Sequence, residues 1–299
     1  MTSARIDALL HRIRHANMRK IQSNQCSSLP SIVAFSGGVD SSLVASLVHR
    51  VFPLESAAVL GISPAVSIDQ VERARTIANE IGIQLVECNT TEGEDNNYVE
   101  NRGRSCYHCK TNLYTTMHHI SLFTKTAMMS SEAIGSFSKI KATIYNGTNA
   151  DDRVDPTRLG LVAADEFDVV SPLENLSKAQ VREIARFIGL SNWNVAASPC
   201  LRSRLAYGVE ATKDHLKRVE KAEAYIRQLL ALPESVNLRV RFLTKNRAAV
   251  EVDQTILAQA RSFFENIQNT LIRIGFASVI LRPFKTGSVS GFASISAEK

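Results

Sequence analysis

Apolar and polar positions along the chain keep two rhythms. Ile6, Leu9, Leu10 and Ile13 recur at helical spacing among Arg5, Arg12, Arg14 and Arg19, which predicts an amphipathic helix over the first twenty residues. Ser31 to Phe35 (SIVAF) is a short apolar run of the buried-strand kind, followed by a glycine turn and a helical pattern from Ser41 to Val51. The pairing then repeats as strand Ala57 to Ile62, helix Ile68 to Ile81 and strand Ile83 to Cys88. Strands alternating with helices at this pitch predict βαβ units, hence an α/β fold with a parallel sheet and flanking helices.

The second half reads differently. Ser121 to Lys141 is Ser-rich and weakly patterned, a loosely ordered insertion before a strand at Ala142 to Tyr145. Lys178 to Ile188 is a helix with Ser177 as its N-cap and Gly189 as its end. After Tyr207-Gly208 the pattern runs helix Thr212 to Leu230, strands Asn237 to Leu243 and Arg247 to Val252, helix Ile256 to Ile274 and strand Ser278 to Leu281. That order fits a small α+β domain. A boundary near residue 208 divides the chain into 1–208 and 209–299.

Composition narrows the class. With 44% hydrophobic and 21% charged residues, disordered, collagen-like and coiled-coil readings fall away. No apolar run approaches the roughly 20 residues of a membrane span, so a soluble protein without membrane partners is expected. Lysine and arginine exceed aspartate and glutamate by 35 − 29 = 6, a mild and dispersed excess that favours phosphates, nucleotides or RNA as ligands. The cysteines are Cys26, Cys88, Cys106, Cys109 and Cys200, odd in number and without a compact framework, and no secretory signal precedes them. A reducing compartment, the cytoplasm, is expected; the Arg-rich N-terminus, with Asp7 its sole acid, leaves a mitochondrial presequence as the alternative.

The strongest chemical signal is Ser36-Gly37-Gly38-Val39-Asp40-Ser41-Ser42, set between a strand and a helix. Its glycines permit a sharp turn, so that successive N–H groups and the helix N-terminus form a nest for an anion, with Ser36, Ser41 and Ser42 adding hydroxyls. The lysine of the common GxxxxGK[ST] phosphate loop is missing. The segment instead resembles the PP-loop of ATP pyrophosphatases, which split ATP between the α and β phosphates and adenylate a substrate. Tyr145-Asn146-Gly147-Thr148-Asn149-Ala150-Asp151-Asp152 follows another strand; Gly147 allows close backbone approach, and Asn149, Asp151 and Asp152 offer oxygen ligands for magnesium or a ribose. An ordinary turn has the same composition.

Cys106-Tyr107-His108-Cys109 is a CxxC beside Arg102, Arg104 and Lys110, and Cys200 stands in Ser198-Pro199-Cys200-Leu201-Arg202-Ser203-Arg204. These cysteines read as unrelated buried side chains, as a Cys3His zinc site completed by His108, or as three thiolates of a [4Fe–4S] cluster with one iron left open. Cys26 reads as a loop thiol and Cys88 as a strand-end core residue. Arg239 and Arg241 share one face of a predicted strand and could clamp a phosphate or carboxylate, with Glu220, Glu223 and Glu251 placed to orient them; solvated strand charges are the plainer reading.

SGGVDSS, CYHCK, YNGTNADD, SPLENLSKAQVREIARFIGL, SPCLRSRLAYG and the late RVR occur in an order that resembles the LarE family, over about Ile6 to Ser288. Members of that family are ATP-dependent sulfur transferases of nickel-pincer nucleotide cofactor synthesis. The resemblance implies a PP-loop domain that binds ATP and Mg2+, and a C-terminal part that helps build a homo-oligomer, a hexamer. It also implies a pyridinium-3,5-biscarboxylic acid mononucleotide as substrate, its carboxylates becoming thiocarboxylates. ATP contacts would fall to Ser36, Gly37, Gly38, Asp40, Ser41, Ser42, Gly147, Asn149 and Asp151, and substrate contacts to Ser203, Arg204, Glu223, Arg239 and Arg241. Cys200 falls on a cysteine that is a sacrificial sulfur donor in some members. In others Cys106 and Cys109 join it to hold a [4Fe–4S] cluster that carries hydrosulfide from a sulfide donor, which the presence of all three here favours. Leu281-Arg282-Pro283-Phe284 and the Ser-rich stretch depart from the family pattern. The rivals are a tRNA-thiolating PP-loop enzyme, for which no added RNA-binding module is present, a nucleotide sensor without turnover, and an amide-forming synthetase.

Overall fold

The computed structural model describes residues 2–23, 29–128, 142–154 and 159–285. They divide into two compact units, 1–62, 68–90 and 109–194 in the first and 63–67, 91–108 and 195–299 in the second. Within the second unit Asn101 Nδ2 donates to the carbonyls of Ala206 and Val209 at 2.9 and 3.0 Å, and the Ala211 N–H donates to Val99 O at 2.7 Å.

In the first unit, helix α1 (Thr2–Ser23) leads to strand β1 (Ser31–Ala34), helix α2 (Val39–Val51), β2 (Ser56–Ile62), α3 (Ile68–Ile81) and β3 (Gln84–Asn89). In chain order a four-residue helix α4 (Asn96–Val99) of the second unit and the long α5 (Ser105–Met128), whose first turn also counts with that unit, follow; then the first unit continues with β4 (Thr143–Tyr145), the short α6 (Ala150–Arg153), α7 (Gly160–Glu166) and α8 (Lys178–Phe187). The strands are all parallel in the order β3-β2-β1-β4. Val33, Phe35, Ala58, Leu60 and Tyr145 meet Leu9, Ile13, Leu43, Leu47, Ile77 and Ile184 in one core, and the alternate residues Ile32, Ala34, Val59 and Ile144 are buried as well. A parallel sheet covered on both faces explains why its strands read as unbroken apolar runs. The α1 stripe Ile6, Leu9 and Ile13 belongs to this core. Ser177 caps α8 in a reciprocal capping box with Gln180, and Gly189 follows at φ +85°.

The second unit holds α9 (Lys213–Leu229), β5 (Leu238–Leu243), β6 (Arg247–Val252), α10 (Leu257–Ser262), α11 (Phe264–Ile274) and β7 (Ser278–Pro283). β5 and β6 are antiparallel, and β6 and β7 parallel. Two expectations need correction. The single helix foreseen over Ile256 to Ile274 is two helices, broken at Phe263, whose ψ of 11° leaves the helical range. The foreseen loose insertion is helical as far as Met128, and 129–141 lie outside the described residues, as does Cys26. Among the described residues no helix is long and apolar enough to cross a membrane.

Candidate active site

In open parallel sheets ligands bind beyond the carboxyl ends of the strands where the strand order reverses. Here that point lies between β1 and β4, and both sequence motifs start there: 36–42 after β1 and 146–152 after β4. Gly37 takes φ +68°, and a Cβ on it would lie 2.8 Å from the α3 backbone at Ala74 Cα. Only glycine satisfies both demands. Gly38 is the N-cap of α2 and supplies no side-chain cap, so no side chain of the cap closes the amide end of the helix to an anion.

The loop's hydroxyls are partly engaged within it. Ser41 Oγ accepts from Ser36 N–H at 3.2 Å and donates to Gly38 O at 3.0 Å. Ser42 Oγ, fully buried, accepts from Asn192 Nδ2 at 2.9 Å. Gly147 brings the β4 loop against the start of α2: its added Cβ would stand 2.7 Å from Ser41 N and 2.8 Å from Asp40 C. Gly147→Ala must therefore push the two loops apart, and on overpacking costs it should weaken ATP binding about tenfold or more. Isothermal titration with ATP, alongside an unchanged circular dichroism spectrum, checks this.

Asp40 is the crossing point. Its Oδ1 accepts from Asn149 Nδ2 at 3.2 Å and its Oδ2 pairs with the Lys178 ammonium. Asp151 Oδ2 accepts the Lys178 backbone N–H at 2.9 Å, while Asn149 and Asp152 satisfy each other in a capping box at α6. The structure thus brings Ser36 to Ser42, Gly147, Asn149 and Asp151 together, and adds Lys178 and Asn192, which sequence reasoning missed. Lys178 did leave a signal: a cation in the first turn of a helix opposes the helix dipole and implies acidic neighbours.

The second unit places the remaining candidates. Register sets Arg239 of β5 opposite Glu251 of β6, and Glu251 opposite Arg282 of β7. Glu251, fully buried, accepts from Arg241 Nε at 2.8 Å and from Arg282 Nη2 at 2.7 Å. Glu223 of α9 accepts from Arg204 Nε at 3.0 Å and from Val240 N–H at 3.0 Å. Arg239 and Arg241 are not solvated strand charges but 5% exposed, and Arg204, in the turn after Cys200, is 2% exposed. They grip the loop around Cys200: Arg239 donates to Ala197 O, Arg204 to Pro199 O and, at 3.2 Å, to Cys200 O, and Arg241 to Ser203 O at 3.2 Å. Ser203 Oγ closes the turn on Cys200 O at 2.8 Å.

Arg239 makes no ion pair among the described residues. Burial, and next the charge of Arg204, pull its pKa down to about 10. Its guanidinium is satisfied by carbonyls, donating to Leu238 O at 2.6 Å and to Ala197 O. Arg282 and Phe284, both in the stretch that departs from the family pattern, belong to this cluster, Phe284 with its ring 5.7 Å from the Arg239 guanidinium.

Cys106 and Cys109 lie one turn apart on α5, and Cys88 is half-buried on β3. Cys106 Sγ takes an N–H from Arg202, whose other arm reaches Asn101 Oδ1 at 3.1 Å. His108 Nδ1 meets Asp95 Oδ2 at 2.8 Å. Among the described residues no three His, Cys, Asp or Glu side chains converge as a metal site. The Arg202 hydrogen bond places a cation beside the Cys106 sulfur, a neighbour of the kind that favours thiolates.

Residues 10–152 match the family model described as NAD synthase. The chain is 37% identical over 201 residues to the uncharacterised protein slr1717 of Synechocystis, spanning 67% of this chain and 69% of that one. The chain belongs to the slr1717 family. It is also 29% identical over 252 residues to the pyridinium-3,5-bisthiocarboxylic acid mononucleotide synthase of Lactiplantibacillus plantarum, covering 83% of this chain and 84% of that protein. Identity to the NH(3)-dependent NAD(+) synthetase of Chlorobium phaeobacteroides is 22% over 196 residues, 61% of its length. Within the family the first unit is a PP-loop domain: a parallel four-stranded sheet flanked by helices, with the loop at its switch point.

Proposed function

We propose that the chain is an ATP-dependent sulfur transferase acting on a pyridinium dicarboxylate mononucleotide. The PP-loop family supports ATP use, and the likeness to the L. plantarum synthase supports the substrate class. The observation that carries sulfur transfer is the Cys200 loop, held through the carbonyls of Ala197, Pro199, Cys200 and Ser203 by three buried arginines. A cysteine fixed in this way has a defined place beside a cationic cluster suited to the substrate phosphate.

In the first step a substrate carboxylate oxygen attacks the α-phosphorus of ATP; the bond to the β-phosphate oxygen breaks, giving acyl-adenylate and pyrophosphate. The uncapped α2 amides and Lys178 are placed to neutralise the departing charge. Magnesium would come with the nucleotide, bound by its phosphates and one protein carboxylate, as that ion prefers, and Asp40 is the carboxylate at the loop. In the second step a sulfur nucleophile attacks the acyl carbon and AMP leaves. A three-thiolate centre would be held by Cys106, Cys109 and Cys200 and would supply hydrosulfide as that nucleophile. If the sulfur is that of Cys200, its Cβ–S bond breaks by elimination with loss of the Cα proton, leaving dehydroalanine. The CxxC thiols decide between sources. Single turnover by Cys106→Ala and Cys109→Ala, with dehydroalanine at residue 200, assigns the sulfur to Cys200 alone. Loss of transfer and of protein-bound iron in both variants assigns it to a three-thiolate centre.

Arg239 is the cleanest test of the anion site, since removing it strands no carboxylate, whereas Arg241→Ala strips a buried glutamate. Arg239→Ala should raise the Kd for the mononucleotide roughly ten- to a hundredfold, the loss of about 1.5–3 kcal/mol from a charge-assisted hydrogen bond, and spare ATP. Equal loss of both ligands, measured by titration, would assign Arg239 to the fold. Ammonia-dependent amide formation is the second reading, favoured by the NAD synthase match, and it shares the adenylation step but yields an amide.

A further inference from the structure

Asn192 follows the end of α8 and is 3% exposed, in a stretch without a sequence motif. Its Nδ2 donates to Gly37 O at 3.0 Å and to Ser42 Oγ at 2.9 Å. Its Oδ1 is buried and has no hydrogen-bond partner. Amide orientation is an assignment that must rest on partners, and here a carbonyl decides it: only the NH2 end can face Gly37 O. The side chain is therefore held by its donor end alone.

We infer that Asn192 is the positioning residue of the PP-loop, presetting the anion nest before nucleotide arrives. The inference rests on the reading that ATP binds this loop. In a trans peptide the carbonyl of one residue and the N–H of the next point in opposite directions. Pinning Gly37 O to Asn192 thus turns the Gly38 N–H the other way. That N–H reaches no closer acceptor than Ser36 Oγ, at 3.5 Å, so it is free for a stronger one. Gly37 at φ +68° has no Cβ to stiffen this peptide plane, and α3 leaves no room for one, since an added Cβ would lie 2.8 Å from Ala74 Cα. The second hydrogen bond works on Ser42. A hydroxyl that accepts from Asn192 keeps its own proton to donate, and the same contact ties the first turn of α2 to the loop.

Sequence position gives no hint of this, since Asn192 is 150 residues from Ser42. An apolar residue of similar size would fill the space but leave the Gly37 carbonyl buried and unpaired. Aspartate would do worse, because a carboxylate has no donor and must set an oxygen against that carbonyl.

The test uses the full chain and two probes, pyrophosphate and adenosine, each titrated by calorimetry into the parent, Asn192→Asp and Asn192→Ala, with thermal unfolding of each. Asn192→Asp should lose pyrophosphate and ATP affinity on the order of ten- to a hundredfold while adenosine affinity holds, and Asn192→Ala should lose less in the same direction. A merely structural role would weaken adenosine equally, and that result would overturn the inference, as would unchanged pyrophosphate binding in both variants. If Asn192→Asp does not fold, Asn192→Ala carries the same comparison. A parent that binds neither ATP nor pyrophosphate would overturn the nucleotide reading, and this inference with it.

Discussion

Asp40→Asn should cut pyrophosphate release on the order of a hundredfold and leave the fold intact, as read by a coupled phosphate assay and by thermal unfolding. The substitution preserves shape and removes one charge. That charge is where three segments meet: the start of α2, the β4 loop through Asn149, and the start of α8 through Lys178. Lys178 is partly exposed, so losing its partner releases it to water and does not strand it in the core. What disappears is the carboxylate that sets Lys178 beside the loop and that a phosphate-bound divalent cation would use. A folded Asp40→Asn protein releasing pyrophosphate at the parental rate would remove Asp40 from the site. A large loss of melting temperature would instead make the Asp40–Lys178 pair a structural tie.

Cys200→Ala should abolish sulfur transfer and leave adenylation standing. The loop around residue 200 is held by its carbonyls and not by the sulfur, so removing the thiol leaves every arginine contact in place. Arg204 and Glu223 would remain bidentately paired, at 3.0 and 3.2 Å. The variant should still form AMP and pyrophosphate, now by slow hydrolysis of the acyl-adenylate, and no thiocarboxylate by mass spectrometry. Sulfur transfer at the parental rate would show that the nucleophile comes from elsewhere. Loss of pyrophosphate release would tie Cys200 to the first step.

Much of the nucleotide domain was legible because its signals are local. A β1 run buried on both faces, glycines at the turn, and the Ser177–Gln180 capping box each lie within a few residues of what they determine, and α3 begins and ends where its pattern does. The helix α5 was missed because threonines, histidines and a CxxC dilute its apolar stripe; Tyr114 and Met117 are its buried anchors, and neither stands out in sequence. The break at Phe263 was invisible for the opposite reason. Leu257, Ala260, Ile267 and Leu271 keep helical spacing straight through it.

The site divides along the same line. SGGVDSS announces itself, whereas Asn192 and Lys178 act through contacts made 138 to 155 residues away in the chain. Arg239 and Arg241 were correctly set on one face by alternation, but their burial depends on the register that places Glu251 between β5 and β7, which no single strand contains. Arg282 was noted only as a departure from a family pattern, and it proves to be the second partner of that glutamate.

Adenylation followed by sulfur replacement at a carboxylate leaves its record in the mass of the product. The protein, incubated with ATP, magnesium and the pyridinium-3,5-dicarboxylate mononucleotide, should yield AMP, pyrophosphate and a mononucleotide in which one carboxylate oxygen is replaced by sulfur. A product carrying an amide when ammonia is supplied, or ATP bound without any AMP formed, would rule out sulfur transfer by this protein.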